Sequence, residues 1–427
     1  MTVGLVCVLA LFSGTPADAG WPQFRGPGGD GISLSANPPV EWSETRNIAW
    51  KVAVPGVGRS SPAILGDRIW LTTAIGQGVQ RKRIGPDDMQ VADHVSLRVV
   101  CLNRADGTRV WETTLFDIEK PPPTHWLNSF ATPTPVVEPG RVYCDFGTMG
   151  TACLDAQTGK VLWTQRVPTD HMVGPGSSPL LHKGLLVLVR DGIDQQYVAA
   201  LDAKTGKVAW KTARPPLDGA RRDMKKAFST PQVFEAAGGT QMVVPGARWV
   251  VSYEPATGKE IWRVRHGNGF SGASRPVVGH GMVYIATGAI RSQLWAIRVD
   301  GRGDVTATHV AWKVTDQPIP LMSSPILVGK ELYSVSDKGV VLCFDAVTGK
   351  VVWRSRLPGQ HLASPTLAAG RLYFCARDGK TTVLKAGRQL EVVAESKLDA
   401  VVTASPAIVG DAIFLRSDTH LYRIEER

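Results

Sequence analysis

The phrase "LDAKTGKVAWKT" (201–212) constrains the fold of this chain more than any other feature. Close copies stand at 154–165 ("LDAQTGKVLWTQ"), 253–264 ("YEPATGKEIWRV") and 344–355 ("FDAVTGKVVWRS"). An acidic or capping side chain can accept the backbone N–H groups just ahead of it, and the following glycine supplies a positive φ. The phrase therefore reads as a tight turn leading into a strand that carries an indole. A second element recurs upstream, a small or polar residue followed by proline, at Pro62, Pro133, Pro179, Pro231, Pro276, Pro325, Pro365 and Pro406. A short apolar run, a glycine turn and an alternating strand follow each one, as in "RIWLTT" (68–73) or "RLYFCA" (371–376). A proline opening the first strand is tolerated because its missing N–H would find no ladder partner there.

Four short strands repeated about every 40–50 residues are the period of a propeller blade. The expected fold is all-β, a single eight-bladed β-propeller of four-stranded antiparallel blades over residues 20–427. The last unit, from Ala404, has room for only three strands, whereas "NIAWKVAV" (47–54) is a lone outer-strand phrase matching "HVAWKV" (309–314). The N-terminal strand is expected to complete the C-terminal blade, closing the ring and removing an exposed sheet edge. Trp111, Trp163, Trp210, Trp262, Trp312 and Trp353 are expected to wedge between neighbouring blades. The seventh copy, "KAGRQLEVVAESKL" (385–398), has no tryptophan, so its joint is expected to be the weakest.

Residues 1–19 read as a signal peptide. An apolar run from Val3 to Phe12 precedes Ala17-Asp18-Ala19, a small-x-small cleavage pattern. That run is too short to span a bilayer. The expectation is an exported protein, periplasmic or extracellular, without a transmembrane segment. Cys101, Cys153 and Cys343 each stand ten residues before a repeat tryptophan, a slot that holds Ala200 and Ser252 in other copies, so they read as small packing residues. In "VYCDFGTMGTACLD" (142–155) a turn over Gly147–Gly150 would set Cys144 opposite Cys153, a cross-strand disulfide that export would permit. No C-x-x-C is present, which leaves thiol redox, zinc and c-type haem without support.

The net charge of +10 includes basic knots at 81–83 and 221–226. Neither is interleaved with aromatics, so both read as solvated loop charge, and nucleic acid is not an expected partner.

Recurrence of A-x-D-x-x-T-G-K-x-x-W with S-P-starting blades resembles the PQQ-like (pyrroloquinoline quinone) repeat propellers, over nearly all of the chain. The opening "WPQFRGPGGDGIS" (21–33) is similar to that of exported bacterial propellers of this kind. The resemblance implies a fold; it does not imply that a quinone binds. In the quinoprotein alcohol dehydrogenases of the wider family, a vicinal Cys-Cys disulfide, a calcium set of Glu, Asn and Asp, and an Asp base surround the cofactor. This chain has no Cys-Cys pair and shows no counterpart of the calcium set, so no cofactor and no metal are expected.

The blade-entry segments hold the unusual polar residues: Arg59, His125, Asn128, Lys226, Arg275 and His361. On the expected topology they form a mildly cationic funnel at one channel mouth, suited to an anionic ligand or acidic peptide, or else a solvated rim. Asp191 and Asp194 are a weaker pair for glycoside cleavage, with turn and capping roles as the plainer reading. Two insertions, 75–96 and 114–130, sit where binding loops are common, with Trp126 as a contact aromatic or a packing residue. The expectation is a non-catalytic binding or assembly scaffold for a protein or envelope component. The alternative is a PQQ-dependent oxidoreductase with the quinone in the central channel.

Overall fold

A computed structural model describes residues 20–33, 37–267, 269–270, 272–288 and 291–427. Residues 1–19, read above as a signal peptide, lie outside the described residues. Strands dominate, and among the described residues the helices are single 3-10 turns at Gly147–Met149 and Arg222–Met224. The strands form four-stranded antiparallel sheets arranged as a β-propeller, each sheet hydrogen-bonding its strands in chain order, and the fourth sheet carries a short fifth strand. In sheet two these are Val136–Glu138, Arg141–Asp145, Thr151–Asp155 and Val161–Gln165. The last sheet takes its outermost strand from the other end of the chain. Ile48–Ala53 pairs antiparallel with His420–Ile424, placing Ile48 opposite Ile424 and Ala53 opposite His420. Each apolar cluster joins two successive sheets; one joins the last sheet to the first through Ile64, Ile69, Phe414 and Leu421.

The repeated phrase is the device that locks these seams. Asp202 Oδ1 accepts the Thr205 N–H and hydroxyl, both at 2.8 Å, and those bonds hold its carboxyl below the usual range. A bulge falls just before the indole in every copy, between Ala200 and Leu201 in sheet three, and re-aims the side chain. The indole then leaves its own sheet. Trp163 donates Nε1–H to Ala203 O at 3.0 Å, in the turn of the next sheet, and Trp312 does the same to Ala346 O. The glycine of that turn is the seat. A Cβ on Gly206 would stand 2.6 Å from the Trp163 ring. One phrase thus contributes a seat to the preceding sheet and an indole to the following one. The residue opposite each of the six repeat indoles is small, as with Cys153 facing Trp163 and Ala200 facing Trp210, whereas Trp50 faces Arg423.

This geometry separates two glycines that a propensity scale would treat alike. Gly206 and Gly184 both have positive φ, +72° and +78°, but nothing lies within 4 Å of a Cβ on Gly184. Gly184→Ala should lose about 1–2 kcal/mol of backbone preference. Gly206→Ala should lose clearly more, read as a larger drop in urea midpoint, because the Trp163 seat is also filled.

Two expectations need correction, and a third needs a finer statement. Trp262 packs in the seam with Val283, Ile285 and Ile297 of the fifth sheet, but its Nε1–H goes to Gln241 Oε1 of its own sheet, at 2.8 Å. The next unit has no Thr-Gly turn to receive it; instead Gly303–Asp304 lies parallel alongside it. The tryptophan-free seventh sheet is not left open. Ala394 occupies the indole position, and Trp42 from the N-terminal segment stacks on Tyr373 at 6.4 Å and 18° in its place. Finally, Cys144 pairs with Ala152 and Cys153 with Tyr143. The connection includes Phe146, which moves the register by one residue and sends the two thiols into different seams; both are free.

Candidate functional site

The first strands of the sheets line the axis, and the residues entering them form a girdle. Ser61 N–H donates to Thr134 Oγ1 at 2.9 Å, Thr134 to Ser178 Oγ at 3.0 Å and Ser178 to Thr230 Oγ1 at 3.0 Å. The chain of bonds resumes from Arg275 N to Ser324, Ser364 and Ser405, each step at 2.9 Å. The residue before each proline, small in every sheet but the fifth, is therefore a hydrogen-bonding link between blades. Its register makes Pro135, not Pro133, the entry proline of sheet two, directly ahead of Val136.

Residues 20–33 cross the axis beyond this girdle. Trp21 pairs with Ile64 of sheet one, Pro22 O accepts from Val137 of sheet two, and Gly28 O accepts from Gln232 of sheet four at 2.8 Å. Arg25 donates to Pro325 O at 2.8 Å and Pro365 O at 3.3 Å, and also to Asp30 O. Ser33 N–H reaches Leu367 O of sheet seven. Arg275 meets this segment from the wall, bonding Phe24 O and Pro231 O; a Cβ on Gly29 would strike its guanidinium at 2.5 Å. Burial pulls Arg25 down to about 10 and Arg275 to about 9. Arg275 is thus a buried anchor for this plug and not a mouth residue.

The opposite end is the entry mouth. Gln80–Ile84, Asp87–Val91 and Thr124–His125 form a small sheet within the sheet-one insertions. It overhangs the mouth. Trp126 lies between Arg81, 4.5 Å from the ring centroid, and Arg377 of sheet seven, at 5.5 Å. Arg59 and Arg81 face His125, which desolvation lowers and Asp87 and Asp88 partly offset. Lys226 approaches from the sheet-four side, 4.7 Å from the Phe270 centroid and within reach of the Asp87 charge.

The other candidates are committed elsewhere. Asn128 Nδ2 brackets the loop by donating to Val173 O at 2.9 Å and Pro175 O at 3.0 Å. His361 is buried against Pro358 O at 3.1 Å. Asp194 caps its loop through Asp170 N and Thr169 Oγ1, while buried Asp191 faces Arg214 at 3.3 Å. Arg377 and Arg416 escaped the sequence reading. Arg416 closes an otherwise apolar strand, "AIFLR" (412–416), and that break of pattern was the available signal.

His171 sits behind the mouth with neither ring nitrogen partnered, and burial pulls it down to about 3. Its ordinary value is 6.5, so the unfolded chain binds the extra proton and stability is lost as pH falls from 6.5 toward 3. At pH 4.5 the loss from this residue should be about 2–3 kcal/mol. His171→Leu should flatten the urea-midpoint profile between pH 6.5 and 4.5; an unchanged slope would contradict a neutral buried ring.

The seams, the girdle and the stacked four-stranded sheets define a repeat-built propeller of the PQQ-like class. The family model described as outer membrane protein assembly factor BamB matches residues 96–234, 194–306 and 293–425, so the chain belongs to this family of PQQ-like repeat propellers. No curated protein matches it in sequence. Among solved structures, BamB from Moraxella catarrhalis is similar at 14% identity and a TM-score of 0.56, covering 84% of this chain and 97% of that one. A europium-containing methanol dehydrogenase is similar at 12% identity and TM-score 0.63, covering 95% of this chain and 90% of its own. The quinohemoprotein alcohol dehydrogenase of Comamonas testosteroni is similar at 11% and 0.62, with coverage of 96% and 81%. Likeness at such identities establishes the fold and leaves activity to the residues of this chain.

Proposed function

We propose that this chain is an exported, closed eight-bladed propeller, one domain over residues 20–427, that binds a protein or another envelope component without turning over a substrate. Its binding surface is the entry mouth with the sheet-one insertion. Closure is supported by the pairing of Ile48–Ala53 with His420–Ile424 and by the apolar seam between the last and first sheets. Export is supported by the leader-like pattern of residues 3–19. The observation that carries the binding role is the filling of the axis by residues 20–33, whose Arg25 is spent on main-chain carbonyls. That leaves the overhung mouth as the accessible polar surface of the axis. The family description, an assembly factor, points the same way.

A quinone activated by a hard cation would need convergent carboxylates. Among the described residues no three His, Cys, Asp or Glu side chains gather as a metal set. The plug and the strands around it supply the buried guanidinium groups of Arg25, Arg275 and Arg416, and that donor set does not fit the cation.

The test is cross-linking of the tagged protein in native envelopes. Capture should survive Lys160→Glu on the outer rim and be lost in the Arg81→Glu/Lys82→Glu variant at the mouth. Capture indifferent to the mouth charges would defeat the assignment of the surface. Retention of PQQ with Ca²⁺ through desalting, followed by dye reduction with alcohols, would defeat the non-catalytic reading.

A further inference from the structure

The entry mouth holds positive charge that the protein itself does not neutralise. Arg416 is 1% exposed and donates Nη1–H to Ser60 Oγ at 2.6 Å and Thr72 O at 2.8 Å, yet its Nε–H is buried without a partner. Arg59, on the segment that enters sheet one, has both Nε and Nη1 buried and unpartnered. Arg377, on the loop after the second strand of sheet seven, has an unpartnered Nε and lies over Trp126. None of the three makes an ion pair. They repel one another: Arg377 lowers Arg59, and Arg59 lowers Arg416, which burial first pulls down to about 9. The Asp418 charge offsets part of this repulsion without bonding to either Arg59 or Arg416.

Buried donors left unmade are costly, and clustered like charges add to that cost. Three guanidinium groups without an ion-pair partner, their repulsion only partly offset by the Asp418 charge, are a match for one doubly charged oxyanion. Guanidinium forks suit tetrahedral oxyanions, which can take several N–H groups at once. We propose that Arg59, Arg377 and Arg416 form a binding site for a phosphate-class dianion at the entry mouth, with Trp126 and the sheet-one insertion overhanging it. The ligand class is inorganic phosphate or the terminal phosphate of a larger molecule. The site deepens the reading of this mouth as the binding surface, naming the chemistry a partner or ligand would present there.

Calorimetric titration of the full-length mature protein with inorganic phosphate, methyl phosphate, acetate and chloride tests this. Saturable one-site binding of inorganic phosphate is expected, with acetate and chloride far weaker. Arg377→Gln, at a partly exposed loop position, should weaken binding by roughly tenfold or more. Arg59→Gln should do likewise, while Arg354→Gln, on an outer strand, should leave it unchanged. Equal binding of methyl phosphate assigns the site to a terminal phosphate group, and loss of methyl phosphate binding assigns it to the free ion; both support the site. No saturation with inorganic phosphate, acetate binding as tight as phosphate, or full affinity in a folded Arg377→Gln variant would overturn it. Envelope capture read in parallel separates the two claims, because phosphate binding can fail while mouth-dependent capture persists, and the reverse.

Discussion

Trp42→Ala should be among the most damaging single substitutions in the chain, with a loss of about 3–5 kcal/mol of unfolding free energy. Trp42 is 4% exposed and packs with Tyr373, Leu398, Val402 and Ile413 in the seam between sheets seven and eight. Its backbone N–H is held by Ser396 Oγ at 3.0 Å, and Tyr373 OH bonds Pro38 O at 3.2 Å, so the ring cannot be replaced by local collapse. In the other seams of this kind the indole comes from the sheet's own outer strand; here it comes from a segment more than three hundred residues away in sequence. Leu162→Ala, on an outer strand and 44% exposed, should change stability by no more than about 0.5 kcal/mol. Urea unfolding of both variants checks the contrast, and a Trp42→Ala midpoint near wild type would mean that sheets seven and eight hold without it.

Asp145→Ala should be of similar size, about 3–5 kcal/mol, by a different mechanism. Asp145 and Arg190 are each 1% exposed and meet at 2.6 Å between sheets two and three. The carboxylate also takes the Thr151 hydroxyl at 2.6 Å, and Arg190 Nε is fixed to Val167 O at 2.8 Å. Removing the acid strands a guanidinium that cannot reach water. Replacing both partners, Asp145→Leu with Arg190→Met, should recover most of the loss, since the cost lies in the unpaired charge. A double variant as unstable as the single one would show that the packing of the pair, not its charge, matters.

Repetition is what made the fold legible. Asp202, Gly206 and Trp210 can be read as a turn and a strand from one copy alone, and the regular return of the phrase turns that reading into an architecture. The pairing of residues 47–54 with the C-terminal strands was legible for the same reason, as an orphaned copy of an outer strand. What escaped notice was every feature that occurs once. Trp42 belongs to no repeat, and its role depends on an alanine at position 394. The plug of residues 20–33 carries no periodic pattern, because its contacts are main-chain bonds to many sheets. The cysteine register failed on one residue, Phe146, which no turn rule assigns to strand or loop.

The site divided along the same line. Position in the repeat placed Arg59, His125 and Lys226 at the entry mouth, but it could not separate them from Arg275, which occupies an equivalent entry slot. Arg275 differs because a non-repeating segment lies against it. Likewise, Arg416 breaks the apolar pattern of its strand, but that break alone does not place it at the mouth. Its neighbours come from the first sheet, across the seam where the chain's two ends meet.

The N-terminal plug also dictates an order of events. Residues 20–53 are made before many of their partners, which include Leu367, Ser396 and Ile424. During synthesis Trp42 has no seam to enter, and the strand His420–Ile424 that will receive Ile48–Ala53 does not yet exist. Closure of the last sheet therefore waits for its final strand, and until then the apolar side chains of residues 42–53 lack their seam.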